Sequence, residues 1–533
     1  MENDKNKYIL AKFDVSGIQD YIFATNRLRE NAGASYQVTR IMEEFLVQSF
    51  QEAADKENMI DVEWKESDGL HLPEDENILA EIIYIGGGNG VALFRDMDFF
   101  RRVGSIFGKK IATECQGVYL AAAYIETDLK NFAEDRKNLD QEMNNRKHHM
   151  IRQPAYSPFP VVEQEDGSHQ PITDRIIYNE KTENVTRIQA QKRNAYKKIS
   201  GYKRLFPELK NEAAYEYPEE MDQLSRERGE DSMVAVVHID GNGMGDRMNG
   251  LLEGYKEQRE YSKDVSKIRD ESKKISGLFS GTYRAVLQDL WDDKIFAAEK
   301  EAEKKKEIFP MRPILMDGDD FTFICRADLA VPIAAGFMRK LLQMQQEEEK
   351  KITACGGIAF VHSHFPFRVA YSIAEKSCGQ AKNAWYQKKR EGKNGVETCF
   401  LDFQVIKESE VGFSLKGKEY QKRPYSLRLE ENGENEDSLK ALCDILKEMD
   451  ENWPSGRLHK IYRAYQEGNT AMEFLEKEFE SRGYEINKLA MKEWKNSPLY
   501  DALELQGMCR FDLLEKFINV QGGQADEGME STN

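Results

Sequence analysis

The sequence lacks the features that mark membrane and secreted proteins. No uninterrupted apolar stretch approaches the roughly 18–20 residues that a membrane-spanning helix needs, and the charged segment Met1–Lys7 has no apolar signal-peptide core. The seven cysteines are scattered and never stand in CxxC spacing, which excludes a zinc ribbon and a disulfide framework. These absences predict a cytoplasmic protein with reduced, mostly buried thiols and no membrane partner.

Basic charge is also in short supply. The 533 residues include 76 Lys and Arg against 94 Asp and Glu, which gives a net charge of -18. An acidic chain repels polyanions at long range, which argues against a general nucleic-acid coat protein, but a metal ion or backbone N–H groups can still hold a small anion. With 40% hydrophobic and 10% aromatic residues, the chain can bury real cores. Its length predicts roughly three or four domains.

The same order of predicted elements occurs twice along the chain. In each copy a strand, a helical stretch, a glycine-containing hairpin, a helix and a further strand follow one another, which is the β-α-β-β-α-β order of a ferredoxin-like fold. In the first copy the strand lies at 8–15, the helical stretch at 36–54, the hairpin at 78–94, the helix at 96–114 and the further strand at 117–125. In the second copy the strand lies at 233–240, the hairpin at 313–325, the helix at 329–343 and the further strand at 352–361, with a long, mostly helical stretch before the hairpin. The strand-end aspartate and the hairpin are similarly spaced, from Asp14 to Gly88 and from Asp240 to Asp319. The pattern therefore predicts a duplicated domain.

The predicted fold class is α+β, with a helical C-terminal part. The predicted boundaries are a first unit at 1–130, a charged linker domain at 131–230, a second unit at 231–408, a C-terminal helical domain at 409–521 and a disordered tail at 522–533. A basic segment at 191–204 lies in the linker. It can contact phosphate, but a solvated helix face is the commoner explanation.

The acidic residues of the second unit carry its predicted chemistry. Asp240 ends an apolar strand, and Asp319 and Asp320 stand at a hairpin tip, so we expect their carboxylates to converge. Carboxylates held together repel one another unless a cation joins them, and oxygen ligands beside phosphates suit Mg²⁺ or Mn²⁺. Two such ions can activate a 3′-hydroxyl and stabilise leaving pyrophosphate. We therefore predict Asp240 and Asp319 as ligands, while Asp320 completes the site or helps to deprotonate the hydroxyl.

Each accompanying motif also has a plainer explanation. The loop after Asp240 reads Gly-Asn-Gly-Met-Gly, and its glycines let backbone N–H groups approach an anion, although a simple glycine turn has the same composition. Lys382, on the predicted helix 374–385, can neutralise a triphosphate or be an ordinary surface lysine. Asp-Gly-Asp-Asp alone fits a hairpin turn. The combination of an acidic hairpin with a strand-end aspartate favours catalysis.

Together these motifs resemble the nucleotidyl-cyclase palm superfamily, which includes GGDEF diguanylate cyclases. The closer resemblance is to the large polymerase/cyclase subunit of type III CRISPR effector complexes. The segments that carry it are FDVSGIQDYIF (13–23), LRENAGAS (28–35), GGGNG (86–90), HIDGNGMG (238–245), DGDD (317–320) and GGIAF to AEKSCGQAK (356–382).

The resemblance implies two palm domains packed face to face, with ATP between them. The second palm would be catalytic, whereas the degenerate first palm would hold the acceptor nucleotide near Ser16 and Gly17. The family makes cyclic oligoadenylate second messengers for antiviral defence. The expected catalytic and metal-binding residues are Asp240, Asp319 and Asp320. The expected nucleotide-binding residues are Ser16, Gly17, Gly241, Asn242, Gly243, Gly245, Asp317, Gly318 and Lys382.

The chain also departs from the family pattern. Asp317 stands where the family has the first glycine of G-G-D-D, and Asn242 stands at the second acidic position of D-x-D. We expect no HD nuclease domain before the first palm and no cysteine-based zinc site between the palms. Three functions stay open: a synthase that uses ATP or other nucleotides, either stand-alone or within an effector; a scaffold for RNA and effector subunits; and a cyclase that uses GTP.

Overall fold

The computed structural model describes most of the chain. Its described residues are 7–66, 69–150, 161–166, 168–178, 180–198, 215–225, 232–252, 260–292, 307–345, 347–348, 350–391, 397–407, 418–429 and 438–519. The predicted disordered tail at 522–533 lies outside them. No helix in these ranges is long and apolar enough to cross a membrane.

Two mixed sheets confirm the predicted α+β class. The strands are β1 (Tyr8–Ser16), β2 (Ile60–Asp61), β3 (Ala80–Gly86), β4 (Asn89–Phe94), β5 (Tyr119–Thr127), β6 (Asp174–Tyr178), β7 (Lys181–Val185), β8 (Tyr215–Glu216), β9 (Met233–Gly241), β10 (Glu307–Ile308), β11 (Met311–Asp317), β12 (Asp320–Arg326), β13 (Ala354–His362), β14 (Cys399–Val405) and β15 (Tyr425–Leu427). The first sheet has the order β2-β3-β4-β1-β5 and the second has the order β11-β12-β9-β13-β14-β15. The four strands β3-β4-β1-β5 and their counterparts β11-β12-β9-β13 therefore follow one plan.

Helices cover these sheets and build the C-terminal part. They are α1 (Ile18–Ile22), α2 (Leu28–Arg40), α3 (Val47–Ala53), α4 (Met97–Glu114), α5 (Phe132–His148), α6 (Arg187–Lys198), α7 (Met244–Gly250), α8 (Tyr261–Asp292), α9 (Ala330–Gln343), α10 (Phe367–Arg390), α11 (Leu439–Asn452), α12 (Ser455–Glu467), α13 (Asn469–Glu480), α14 (Ile486–Leu489), α15 (Leu499–Glu504) and α16 (Phe511–Asn519). The helix predicted at 36–54 begins earlier, at Leu28. The second sheet also gains β14, at the end of the predicted second unit, and β15, inside the predicted helical domain.

One apolar cluster joins the two sheets together with helices of both units. Alternate residues of β1, such as Phe13, share this cluster with Val234 and Val236 of β9 and with Tyr371 of α10. The opposite face of the second sheet packs against α8, α9 and the C-terminal helices. Because β9 is buried on both faces, it reads as a nearly continuous apolar run that ends at Asp240. This burial fixes the strand end from which the site is built.

A buried arginine adds a polar link between the two units. Arg269 of α8 is 1% exposed. Its Nε donates to the carbonyl of Ile83 at 2.5 Å, and its Nη2 donates to Glu81 at 3.1 Å. Both acceptors lie on β3 of the first sheet. The link satisfies the guanidinium with charge-assisted hydrogen bonds and holds α8 across both units.

The linker predicted at 131–230 does not stand apart from the first unit in its described residues. Helix α5 buries Phe132, Leu139 and Met143 against the first sheet. The described part of the basic segment, 191–198, corrects the prediction of a solvated helix face. Lys192 donates to the carbonyl of Tyr21 at 2.5 Å, and Arg193 bonds Glu30 at 2.7 Å. Burial lowers the pKa of Lys192 to about 8. These two cations anchor α6 to the first unit.

A buried ionic cluster joins the second sheet to the C-terminal helices. Arg423 faces Asp402 of β14 at 3.8 Å, and Asp501 and Glu504 of α15 at 3.6 and 2.8 Å. Three carboxylates thus surround one guanidinium. Burial raises the pKa of Asp402 to about 7, although Arg423 acts in the opposite direction. The ionised form of Asp402 therefore costs free energy in the folded state.

Stability is expected to fall as the pH rises through this range. A carboxyl whose pKa is about 4 unfolded and about 7 folded favours the folded state at low pH, and the benefit is lost as the pH approaches 7. Urea unfolding of the wild type and Asp402→Asn at pH 5 and pH 8 should show that the wild type loses about 2–3 kcal/mol more. An equal loss in both proteins would assign the pH dependence to other groups.

Candidate active site

The acidic hairpin and the end of β9 lie side by side. Asp320 pairs directly with Asp240 across the antiparallel β12–β9 ladder, and Asp317 pairs with Asp320 across the hairpin. Gly318 has a positive φ of 60°, which the tight turn requires and which glycine adopts without strain. Directly opposite residues in a sheet have Cβ atoms about 4.5–5.5 Å apart. The predicted convergence of Asp240 and Asp320 is therefore present in the structure.

Asp319 lies at the turn, over the backbone of the glycine loop. Its carbonyl accepts from the N–H of Gly241 at 3.1 Å. A Cβ atom on Gly241 would lie 2.8 Å from the Asp319 carboxylate, so the absent side chain leaves room for that carboxylate. Burial and the nearby charge of Asp240 raise the pKa of Asp319 to about 6. Crowding of this kind is what a bound cation would relieve.

Lys382 occupies the site as the sequence predicted, because α10 crosses above β9 and β13. Its Nζ lies 2.5 Å from Oδ2 of Asp240. Burial by itself would lower the pKa of Lys382, but the charge of Asp240 and the hydrogen bond between them raise it overall. The side chain is only 25% exposed, so it is not an ordinary surface lysine.

Asp320 has partners that the sequence did not reveal. His238 of β9 places Nδ1 3.3 Å from Oδ1 of Asp320 and 2.9 Å from Oγ1 of Thr322. Burial opposes the imidazolium form, but the hydrogen bond and the charge of Asp320 raise the pKa of His238 overall. Strand alternation in the sequence could have revealed this contact. His238 and Asp240 lie on one face of β9, directly opposite Thr322 and Asp320 of β12.

The first unit contains a degenerate counterpart of this site. Asp14 pairs with Asn89 as Asp240 pairs with Asp320, so Asn89 and Gly88 replace Asp320 and Asp319. The lysine is retained, because Lys147 lies 2.7 Å from Asp14. Lys147 and Lys382 are each the sixteenth residue of their helices, which begin at Phe132 and Phe367. Comparing the two copies helix by helix could have found Lys147 from sequence.

The two hairpins meet where the units face each other. A Cβ on Gly88 would lie 3.9 Å from the Asp317 carboxylate. Burial and the charge of Asp320 raise the pKa of Asp317 to about 6, although the nearby backbone of Gly87 and Gly88 acts in the opposite direction. The first hairpin also touches the Ser16–Gly17 loop, since Val15 N–H donates to the carbonyl of Gly88 at 3.2 Å. Asp317, Ser16 and Gly17 therefore border one inter-unit region.

In the glycine loop after Asp240, Asn242 has a partner that the sequence did not reveal. Asn242 is 7% exposed and its Nδ2 donates to Oγ1 of Thr353 at 3.0 Å, so this side chain is tied to the start of β13. Gly243 has a φ of 65° and lies against Trp385, where a Cβ would approach the indole to 3.1 Å. Gly245 has open space around it. Gly241 and Gly243, but not Gly245, are thus sterically required.

The donor set fits a hard divalent cation. Asp240, Asp319 and Asp320 offer carboxylate oxygens, and burial together with the charge of Asp240 raises the pKa of Asp319 even though Lys382 acts in the opposite direction. Among the described residues, a tighter group of possible ligands is Asp61, His71 and Glu81. Glu81 there already accepts from two backbone N–H groups and from Arg269. Its oxygens are therefore engaged, and the adjacent guanidinium disfavours a cation.

The second unit and the fold as a whole are both similar to known proteins. Residues 233–396 match the family described as Cas10/Cmr2, second palm domain. A Csm1-Csm4 cassette in complex with cA4 matches with a TM-score of 0.52 at 13% identity, covering 96% of this chain and 70% of that chain. A Csm1-Csm4 cassette in complex with AMPPNP matches with a TM-score of 0.51 at 13% identity, covering 97% of this chain and 70% of that chain. Csm1 in T. onnurineus matches with a TM-score of 0.50 at 14% identity, covering 95% of this chain and 70% of that chain. No curated protein matches the sequence.

The structural likenesses span both sheets and the helical C-terminal part, while the family match covers the unit that carries the acidic hairpin. Residues 233–396 thus resemble a Cas10/Cmr2-type second palm domain, and the chain as a whole shares its fold with Csm1.

Proposed function

We propose that this protein is a nucleotidyltransferase that joins ATP molecules into a cyclic oligoadenylate messenger for antiviral defence. Both sheets with their helices would act as ferredoxin-like palms, the second catalytic and the first degenerate. The observation that carries the proposal is the cluster of Asp240, Asp319 and Asp320 beside Lys382, next to a twin hairpin that has lost its acidic residues.

The reaction would form one phosphoester bond and break one phosphoanhydride bond. The 3′-hydroxyl of one nucleotide attacks the α-phosphorus of another, pyrophosphate leaves, and the hydroxyl proton passes to Asp320 or to solvent. Mg²⁺ or Mn²⁺ held by Asp240, Asp319 and Asp320 would activate the hydroxyl and neutralise the leaving group. Lys382 would exchange its contact with Asp240 for the triphosphate.

The first palm would hold the acceptor nucleotide. Gly17 has a φ of 79° at the start of α1, and the loop touches the hairpin that faces Asp317. Lys147 gives this palm a cation like that of Lys382, whereas Gly88 and Asn89 leave it without the metal-binding carboxylates. The first palm would therefore bind the acceptor nucleotide, and the second palm would catalyse the transfer.

The direct test is product analysis. Purified protein, with Mg²⁺ or Mn²⁺ and with candidate activators such as target RNA and effector subunits, is incubated with each nucleoside triphosphate. Products are identified by mass spectrometry and pyrophosphate is quantified. Cyclic or linear oligoadenylates support the proposal. Cyclic dinucleotides from GTP would redirect it to the GTP-using cyclase, and a co-purifying RNA without turnover under every condition would favour the scaffold.

The two lysines provide a separate prediction. Lys382→Ala and Lys147→Ala are each expected to raise the KM for nucleotide about 10-fold, because each removes a partly buried cation from a phosphate site. Lys130→Ala is the matched control, since Lys130 is 81% exposed and pairs only with Asp128 among the printed contacts of the described residues. If the control changes KM equally, general electrostatic attraction explains the effect.

A further inference from the structure

His238 stands directly behind the acidic hairpin and has no place in the roles described so far. It lies two residues before Asp240 on β9 and opposite Thr322 on β12. The residue is only 4% exposed. A buried imidazole needs a defined hydrogen-bonding arrangement, so its partners indicate what it does.

The partners of His238 converge on one carboxylate oxygen. Nδ1 lies 2.9 Å from Oγ1 of Thr322 and 3.3 Å from Oδ1 of Asp320. The Thr322 hydroxyl itself donates to Oδ1 of Asp320 at 3.4 Å. When the single hydroxyl proton of Thr322 points at Asp320, the matching tautomer of His238 carries its proton on Nδ1 and donates it to Oγ1 of Thr322. The Thr322 hydroxyl thus donates to Asp320 from the protein interior, with Nδ1 of His238 behind it and 3.3 Å from the same carboxylate oxygen.

The imidazole is held in place by aromatic packing from both palms. Its ring lies edge-on to Tyr371 of α10, with centroids 5.6 Å apart at 76°. Tyr371 in turn stacks on Phe23 of the first palm, with centroids 3.9 Å apart at 22°. Such edge-to-face and offset contacts define ring orientation. The direction of the Nδ1–H bond therefore depends on packing at the palm–palm interface.

We propose that His238 is a positioning residue that orients the Asp320 carboxylate toward the reaction centre. Asp320 stands beside Asp240, and repulsion between the two carboxylates would otherwise favour rotation of Asp320 toward solvent. His238 fixes the Thr322 hydroxyl, the hydroxyl restrains Oδ1 of Asp320, and Oδ2 stays available to a metal ion or a proton. The inference rests on the proposed function, in which Asp320 binds a metal ion or accepts a proton.

The first test compares three variants at position 238 and its neighbourhood. His238→Ala removes the donor, and His238→Asn retains an N–H near Nδ1. Val236→Ala is the matched control, because Val236 lies on the same face of β9, is fully buried and has no contact with the carboxylates. Mn²⁺ binding is measured by calorimetry on the full-length protein without nucleotide, and the rate of pyrophosphate release is measured separately.

We expect His238→Ala to weaken Mn²⁺ binding or slow the reaction about 10–100-fold, as losses of partners behind metal ligands commonly do. His238→Asn should recover most of that loss, and Val236→Ala should lower the unfolding temperature without either effect. In an Asp320→Asn background, His238→Ala should cause no further loss. The same additional loss in both backgrounds, or wild-type values in His238→Ala, would overturn the proposal.

A spectroscopic readout separates this proposal from the proposed function. In ¹⁵N-histidine NMR spectra of the unliganded protein, the Nδ1–H signal of His238 should shift in Asp320→Asn and stay unchanged in Lys147→Ala, whose site lies in the first palm. An unchanged signal in Asp320→Asn would reject the coupling between His238 and Asp320. If wild-type protein makes no product but the signal shifts, only the assigned reaction fails, and the positioning contact stands.

Discussion

Asp319→Ala combined with Asp320→Ala is expected to reduce pyrophosphate release by about 10³-fold or more, because it removes two of the three carboxylates at the reaction centre. Asp240 would then face Lys382 alone, and their 2.5 Å ion pair would neutralise the remaining charge. Product formation is followed by pyrophosphate assay and mass spectrometry at saturating Mn²⁺.

The change should leave the fold intact. Asp319 and Asp320 lie at a hairpin end and are partly exposed, and loss of their mutual repulsion offsets the loss of the His238 contact. The matched control is Asp98→Ala, because Asp98 is 89% exposed on α4 of the first unit and the change leaves all three carboxylates in place. We expect that control to keep most of the activity. Equal activity of the double variant and the wild type would remove the acidic hairpin from the mechanism.

Gly357→Ala is expected to cause the largest loss of stability. A Cβ at this position of β13 would lie 2.0 Å from the carbonyl oxygen of Ala374 and 2.3 Å from the backbone N of Cys378. Because both atoms belong to the backbone of α10, the helix itself must move away from the sheet. We expect a loss of about 3 kcal/mol or more in the free energy of unfolding, measured with urea.

The same displacement should impair the site, since α10 carries Lys382 and Tyr371. The matched control is Gly379→Ala on the same helix, where an added Cβ meets no atom within 4 Å. Alanine there should stabilise the protein by up to about 1 kcal/mol, because glycine in a helix loses more backbone entropy. If Gly357→Ala unfolds like Gly379→Ala, then the close approach of α10 to β13 is not the reason for glycine at 357.

Much of the architecture could be predicted from the sequence because its signals are local. Strand alternation, the Asp-Gly turn and the spacing of the two copies predicted β1, β9, both hairpins and the closeness of Asp240 to Asp320, and the structure confirms these placements. The chemical roles of the site residues stay predictions. Boundaries were less certain, because α2 begins eight residues before the predicted helix and α5 packs on the sheet that precedes it.

The remaining features depend on partners far along the chain. Local pattern predicts which face a residue occupies, but not which residue meets it there. The sequence pattern predicted that Lys192 and Arg193 are solvated. In the structure they bond Tyr21 and Glu30 of the first unit. The sequence did not reveal that the amide of Asn242 donates to Thr353, which lies just before β13, and the role of Asn242 at the nucleotide stays a prediction.

The sequence by itself determined that this chain carries one acidic and one degenerate copy of the same unit, because turn residues and the spacing of elements can be recognised from the sequence alone. Only the tertiary structure decided how the copies work together. Packing across the interface brings Asp317 to the opposite hairpin, and folding within each copy pairs Asp14 with Lys147 and orients His238 toward Asp320. Each of these contacts joins segments that are separate in sequence, so their geometry exists only after the two sheets and their helices have packed.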